Sequence, residues 1–136
     1  MAKSIFINLP VRDLTRSIEF YRALGFALNP DITDDKAACI IIGENIFAML
    51  LTHERFADFT TKPIADAKAT SQALLAIEVE SREAVDELVQ KAIAAGGHSS
   101  PSADDYGWMY SHDFEDLDGH QWGPFWSDPK GFSGNS

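Results

Sequence analysis

Proton transfer near neutral pH falls first to histidine, and this 136-residue chain has four: His53, His98, His112 and His120. Their spacing follows no zinc-binding pattern. His120 comes straight after the turn Asp118-Gly119 and is expected to serve that turn. His98, in Gly97-His98-Ser99-Ser100, is expected in solvent. His53 closes an apolar run in which it alternates with Phe47, Met49 and Leu51, so it belongs at the rim of whatever that run lines. His112 alternates with Trp108, Tyr110 and Phe114. It reads either as a satisfied core or rim histidine, or as a general base or hydrogen-bond donor to a ligand. Cys39 is the only cysteine, which excludes an intrachain disulfide. Its apolar neighbours make it a small buried side chain rather than a reactive thiol.

Fewer polar groups fall on faces that could hold a small molecule. Asn8 shares a strand face with Phe6. Around the Asp-Gly turn at 118–119, a strong hairpin signal, strict alternation puts Trp122 and Trp126 on one face and Gln121, Gly123 and Phe125 on the other. One or two polar groups among aromatic walls is the usual make-up of a small-molecule pocket. Phe125, with Trp108 or Tyr110 as alternatives, is the candidate to stack on a flat ligand, and Gly123 opens volume by carrying no side chain.

The elements that must position these residues follow from periodicity. Residues 5–9 read as a buried strand ended by Pro10. Asp13 caps a helix whose stripe is Leu14, Ile18, Tyr21 and Leu24, with Gly25 at its C-terminus. A short strand near 27–28, a strand over 37–42, a turn at 43–45 and a strand over 46–52 complete the first half. Residues 53–71 read as a surface connector pinned by Phe56 and Phe59. A strand over 73–79 follows, then a helix capped by Ser81 with the stripe Val85, Leu88, Val89, Ala92 and Ile93. Gly96-Gly97 ends it. A polar loop over 98–106, a strand over 108–114 and a final strand over 120–126 close the order.

That order is one pattern used twice. The caps Asp13 and Ser81 lie 68 residues apart and the hairpin turns Asn45 and Gly119 lie 74 apart, so the second half has gained about six residues after its helix. Two β-α-β-β-β modules, each half a domain, are expected to bury their sheets together. The fold class is α+β, a single domain over 1–136: first module 4–52, connector 53–71, second module 72–127, tail 128–136.

Composition narrows the function classes. A formal net charge of -10 repels a phosphate backbone, so nucleic acid is not an expected partner. Residues 1–4 lead directly into a strand pattern, without the apolar stretch of a signal peptide or membrane span. A cytoplasmic protein away from membranes is expected.

The run Leu9-Pro10-Val11-Arg12-Asp13-Leu14, followed by Ser17-Ile18-Glu19-Phe20-Tyr21-Arg22 and Leu24-Gly25-Phe26, resembles the opening of the vicinal oxygen chelate superfamily. Asp116-Leu117-Asp118-Gly119 resembles its closing Asp-Pro-Asp-Gly turn. The superfamily includes glyoxalase, bleomycin resistance proteins and extradiol dioxygenases. The resemblance implies paired modules whose sheets curve into a cup, with working cups commonly built across a homodimer. In metal-dependent members His, Gln or Glu side chains hold a divalent ion there, while other members use the cup without metal.

Carried over one by one, the family's ligand positions fall on Phe6, Met49, Leu74 and Gly123, none a hard-metal ligand. Their neighbours Ile5, Ile7, Ala48, Leu50, Ala73, Leu75, Trp122 and Pro124 do not restore the site. The expectation is a family member without the usual metal or other cofactor, binding an apolar or aromatic small molecule. Its expected ligand-binding residues are Phe6, Asn8, Met49, Leu74, His112, Gln121, Gly123 and Phe125, with no catalytic residue assigned. The alternative is a metal-dependent lyase or extradiol-dioxygenase-type enzyme whose divalent ion sits at a displaced site. A homodimer is expected in either case.

Overall fold

The computed structural model describes residues 1–130; the part of the expected tail beyond Lys130 lies outside them. The chain divides into two compact units, Met1–Asp66 and Ala67–Ser136. Each contains one β-α-β-β-β module, which gives the α+β class.

In the first unit β1 (Ile5–Val11) leads into α1 (Leu14–Ala23), β2 (Ala27–Asn29), β3 (Ala37–Gly43) and β4 (Ile46–Thr52). The sheet order is β1-β4-β3-β2, with β1 parallel to β4 and the other pairs antiparallel. Asp13 caps α1 by accepting the Arg16 N–H at 3.1 Å, which satisfies one of the helix's orphan donors. At the other end the Gly25 N–H reaches the Arg22 carbonyl and the Phe26 N–H reaches that of Tyr21. Ala38, Ile40, Ala48 and Leu50 point to the α1 side and are fully buried with Phe20 and Tyr21. Burying a side chain the size of Ile40 or Leu50 contributes about 1.5–3 kcal/mol.

The second unit repeats this plan. It runs β5 (Leu74–Glu78), α3 (Arg82–Ala94), β6 (Asp104–Asp105), β7 (Met109–Ser111), β8 (Phe114–Glu115) and β9 (Gln121–Ser127). Sheet order is β5-β9-β7-β6, with β8 also on β9. β5 is parallel to β9 as β1 is to β4, so the sequence repeat is a repeat of topology. Ser81 caps α3 by accepting the Ala84 N–H at 3.0 Å. Val85, Leu88, Val89 and Ala92 are buried with Phe114 and Trp122.

The closing turn is held by a buried carboxylate and a close backbone approach. Asp116 is only 3% exposed and its Oδ1 accepts from the backbone N–H groups of Asp118 and His120, at 3.0 and 2.8 Å. Gly119 has φ +94°, and a Cβ there would lie 2.7 Å from the Lys68 nitrogen and 2.8 Å from the Ala67 carbonyl carbon. Only glycine allows both the left-handed backbone and that approach.

Several expectations are corrected. The connector opens with α2 (His53–Ala57), capped by Thr52, and His53 is its exposed first residue rather than the end of a strand. Phe59 is 72% exposed and pins nothing, and Ile93 is 49% exposed, outside the buried stripe of α3. The strand expected over 108–114 is interrupted at 112–113 and leaves out Trp108. The loop over 98–106 contains β6 and a bridge between His98 and Glu115.

Candidate functional site

Both sheets have one face packed on their own helix and one face that is not. In the first unit Phe6 pairs with Phe47 and Asn8 with Met49, across β1 and β4. Cross-strand partners share a face, so Phe6, Asn8 and Met49 stand together. Phe6 and Phe47 stack with ring centroids 4.6 Å apart. Phe6 is 46% exposed, Met49 is half-buried and Asn8 is exposed. The Asn8 Nδ2 donates to the Phe6 carbonyl at 3.5 Å, a long bond that leaves the amide able to turn elsewhere.

The second unit carries a formed concavity of about 370 Å³, within the size range of ligand sites. Leu74, Ala76, Met109, Gly123 and Phe125 form its apolar wall, with the edge of Trp122. Ser111, Asp113 and Gln121 are its polar residues. Register explains the set: Leu74 pairs with Gln121, Ala76 with Gly123 and Ser111 with Phe125. A Cβ at Gly123 would meet nothing within 4 Å, so the glycine leaves open space. The Gln121 Oε1 accepts from the Ser71 hydroxyl, which fixes the amide.

Four expected residues, Leu74, Gln121, Gly123 and Phe125, therefore line one concavity. His112 does not line it. Its Nε2 lies 2.9 Å from the Ser100 carbonyl and 3.1 Å from the Ser99 hydroxyl. Because the Ser99 hydroxyl donates to the Asp113 carbonyl at 2.9 Å, the consistent assignment has Nε2–H donating to Ser100. Its face also carries Tyr110, whose hydroxyl donates to Asp86 of α3 at 2.6 Å, and Phe114, which stacks on Trp122.

The opposite face of that segment holds the residues that sequence reasoning missed: Met109, Ser111 and Asp113. The signal was available. Pairing 108–114 with the final strand places Tyr110 and Phe114 with Trp126 and Trp122, the face already assigned to the helix, and leaves the odd-numbered residues for the concavity. The pairing offset is the same on both sides of the gap at 112–113, so Asp113 falls across from Gly123.

A smaller, polar concavity of about 210 Å³ adjoins, lined by His98, Ser99, Ser100, Phe114 and Glu115. Asp113 and Gln121 line both. The Asp113 Oδ1 accepts from Ser100 twice, from its N–H at 3.0 Å and its hydroxyl at 2.7 Å.

A divalent ion at the positions the resemblance indicates does not fit these residues. Phe6, Leu74 and Gly123 have no donor atom, and Met49 has only a soft thioether. Among the described residues no three His, Cys, Asp or Glu side chains come together to hold a metal ion. Cys39 is fully buried and burial pushes its thiol up, which keeps it protonated and unreactive. No helix among the described residues is long and apolar enough to cross a membrane.

Residues 3–43 match the family model described as bleomycin resistance protein-like N-terminal. No curated protein matches the chain. A hypothetical protein from S. aureus has a solved structure similar to this one at TM-score 0.77 and 30% identity, covering 92% of this chain and 94% of its own. A glyoxalase/bleomycin resistance protein/dioxygenase family enzyme from Burkholderia phytofirmans PsJN is similar at TM-score 0.73 and 22% identity, over 90% of this chain and 96% of its own. A glyoxalase-related enzyme from Fulvimarina pelagi is similar at TM-score 0.77 and 20% identity, over 93% and 89%.

Proposed function

We propose that this chain, which belongs to the vicinal oxygen chelate superfamily of glyoxalases, bleomycin resistance proteins and dioxygenases, is a metal-independent member that binds an apolar or aromatic small molecule in the concavity of its second module. The observation that carries this reading is the chemistry of the roughly 370 Å³ wall: Leu74, Met109 and Phe125 around open space at Gly123. That position is where the resemblance puts a metal-binding glutamate. An apolar wall with a few fixed polar groups favours binding and orientation over hard-metal chemistry. The competing reading, a lyase or extradiol dioxygenase with a displaced metal, has no donor cluster among the described residues to support it.

The protein is cytoplasmic and a homodimer on this reading. The homodimer follows from the resemblance, whose members commonly build their working cups across two copies of the chain. Sedimentation of the purified protein tests that part, with a single-chain mass as the contrary result.

The experiment for the site is thermal-shift screening against planar aromatic compounds, alongside metal analysis of protein purified without added chelator. Stabilisation by such compounds with no stoichiometric divalent ion is expected. Iron, manganese, nickel or zinc near one per chain overturns the reading.

A further inference from the structure

We propose that the two adjoining concavities of the second module are compartments of one site, and that its ligand is an amphipathic amine. The apolar or aromatic body lies against Leu74, Met109 and Phe125, and the protonated nitrogen lies between the carboxylates of Asp113 and Glu115. This rests on the reading above that the larger concavity is a ligand site, and it adds the class of molecule.

Three observations carry it. Asp113 and Gln121 line both spaces, so a molecule seated in the apolar one meets them on its way into the polar one. Asp113 uses Oδ1 for both Ser100 bonds and its Oδ2 takes no hydrogen bond among the described residues. Glu115 is a β8 residue half-buried at the polar space and paired across the ladder with Gln121; its carboxylate likewise takes none. Ionised carboxylates only accept hydrogen bonds. Finally, no lysine or arginine lines either space, so no fixed cation of the chain stands among the lining residues to take up these carboxylates.

A charge-assisted bond from an ammonium to a carboxylate is about twice as strong as a neutral one. A carboxylate-bearing ligand of the same shape meets repulsion from both acids and, through the chain's net charge of -10, is steered away.

Calorimetric titration with 2-naphthylmethylamine, 2-naphthylmethanol and 2-naphthylacetate at neutral pH and low salt tests this. The amine is expected to bind about tenfold tighter than the alcohol, a difference of about 1.4 kcal/mol, with the acid weakest. Added salt narrows the gap. In Asp113→Asn, which keeps an acceptor for Ser100, and separately in Glu115→Gln, the amine-to-alcohol ratio is expected to fall toward one. Equal binding of amine and alcohol by the unaltered protein overturns this inference while leaving the binding reading standing. So does a ratio that neither variant changes. Failure of all three compounds to bind overturns both.

Discussion

Asp113 stands across the β-ladder from Gly123, and the two line the same concavity. The glycine leaves open the space that a side chain would occupy in front of the strand. The segment before the closing turn thus presents a carboxylate beside a void at Gly123, the position where the resemblance puts a metal ligand. Much of what distinguishes this chain follows from that pair.

Filling the void tests its role. The backbone at Gly123 has ordinary extended geometry and a Cβ meets nothing within 4 Å, so Gly123→Leu should fold with a melting temperature close to the parent. Its side chain projects into the concavity, and binding of naphthyl compounds should fall by tenfold or more, since losing access for part of a buried ring costs at least about 1.4 kcal/mol. Calorimetry on the variant and the parent makes the comparison.

Gly119 is the opposite case. Any side chain there adopts an unfavourable left-handed backbone and collides with the Ala67-Lys68 peptide. Gly119→Ala should lose about 2 kcal/mol or more of stability. A lowered urea midpoint with unchanged slope is the expected signature.

The helix caps give a smaller, well-defined loss. Ser81→Ala removes the acceptor for the Ala84 N–H and should destabilise by about 1 kcal/mol, while Ser81→Asp should retain most of the capping. Chemical denaturation of both variants separates them.

Asp105 supplies a pH dependence. Its carboxylate forms a pair of hydrogen bonds with the Arg82 guanidinium, at 2.9 and 3.1 Å, and that guanidinium lies over the rings of Tyr110 and Trp126. The Arg82 bond, with help from the Gly107 N–H, holds Asp105 below its ordinary carboxylate range. A depressed folded-state value means the contribution is present above the unfolded value and is lost as pH falls through the folded one. The clamp on the 105–107 loop should therefore persist through the ordinary aspartate range and release only below it. An NMR titration of the Asp105 carboxyl carbon checks this; a midpoint at or above the ordinary value contradicts it.

Much of this fold is legible in the sequence because its signals are local. Asp13 and Ser81 are capping residues directly before apolar stripes, Gly25 and Gly96 end helices, and the two hairpins carry their own turn residues. The doubled order of these signals yields the module repeat. The misses have non-local causes. The short helix α2 has no amphipathic period long enough to detect, and nothing in the residues around Phe59 or Ile93 says that their side chains find no cover. The expected ligand-binding residues Leu74, Gln121, Gly123 and Phe125 converge because alternation and register are enough to fix a strand face. His112 lies elsewhere because the strands on either side of it pair with β9 in the register that turns the even-numbered residues away from the concavity, and that pairing was readable from the tryptophans. Asp113 lies on the face so vacated.

The most direct measurement is calorimetric titration of the parent protein with 2-naphthylmethanol, in the presence and absence of excess chelator, beside Gly123→Leu. Saturable binding that is indifferent to chelator and lost in the variant is the predicted result. Binding that needs a divalent ion, or that survives unchanged when leucine fills the concavity, would contradict a metal-independent site at Gly123.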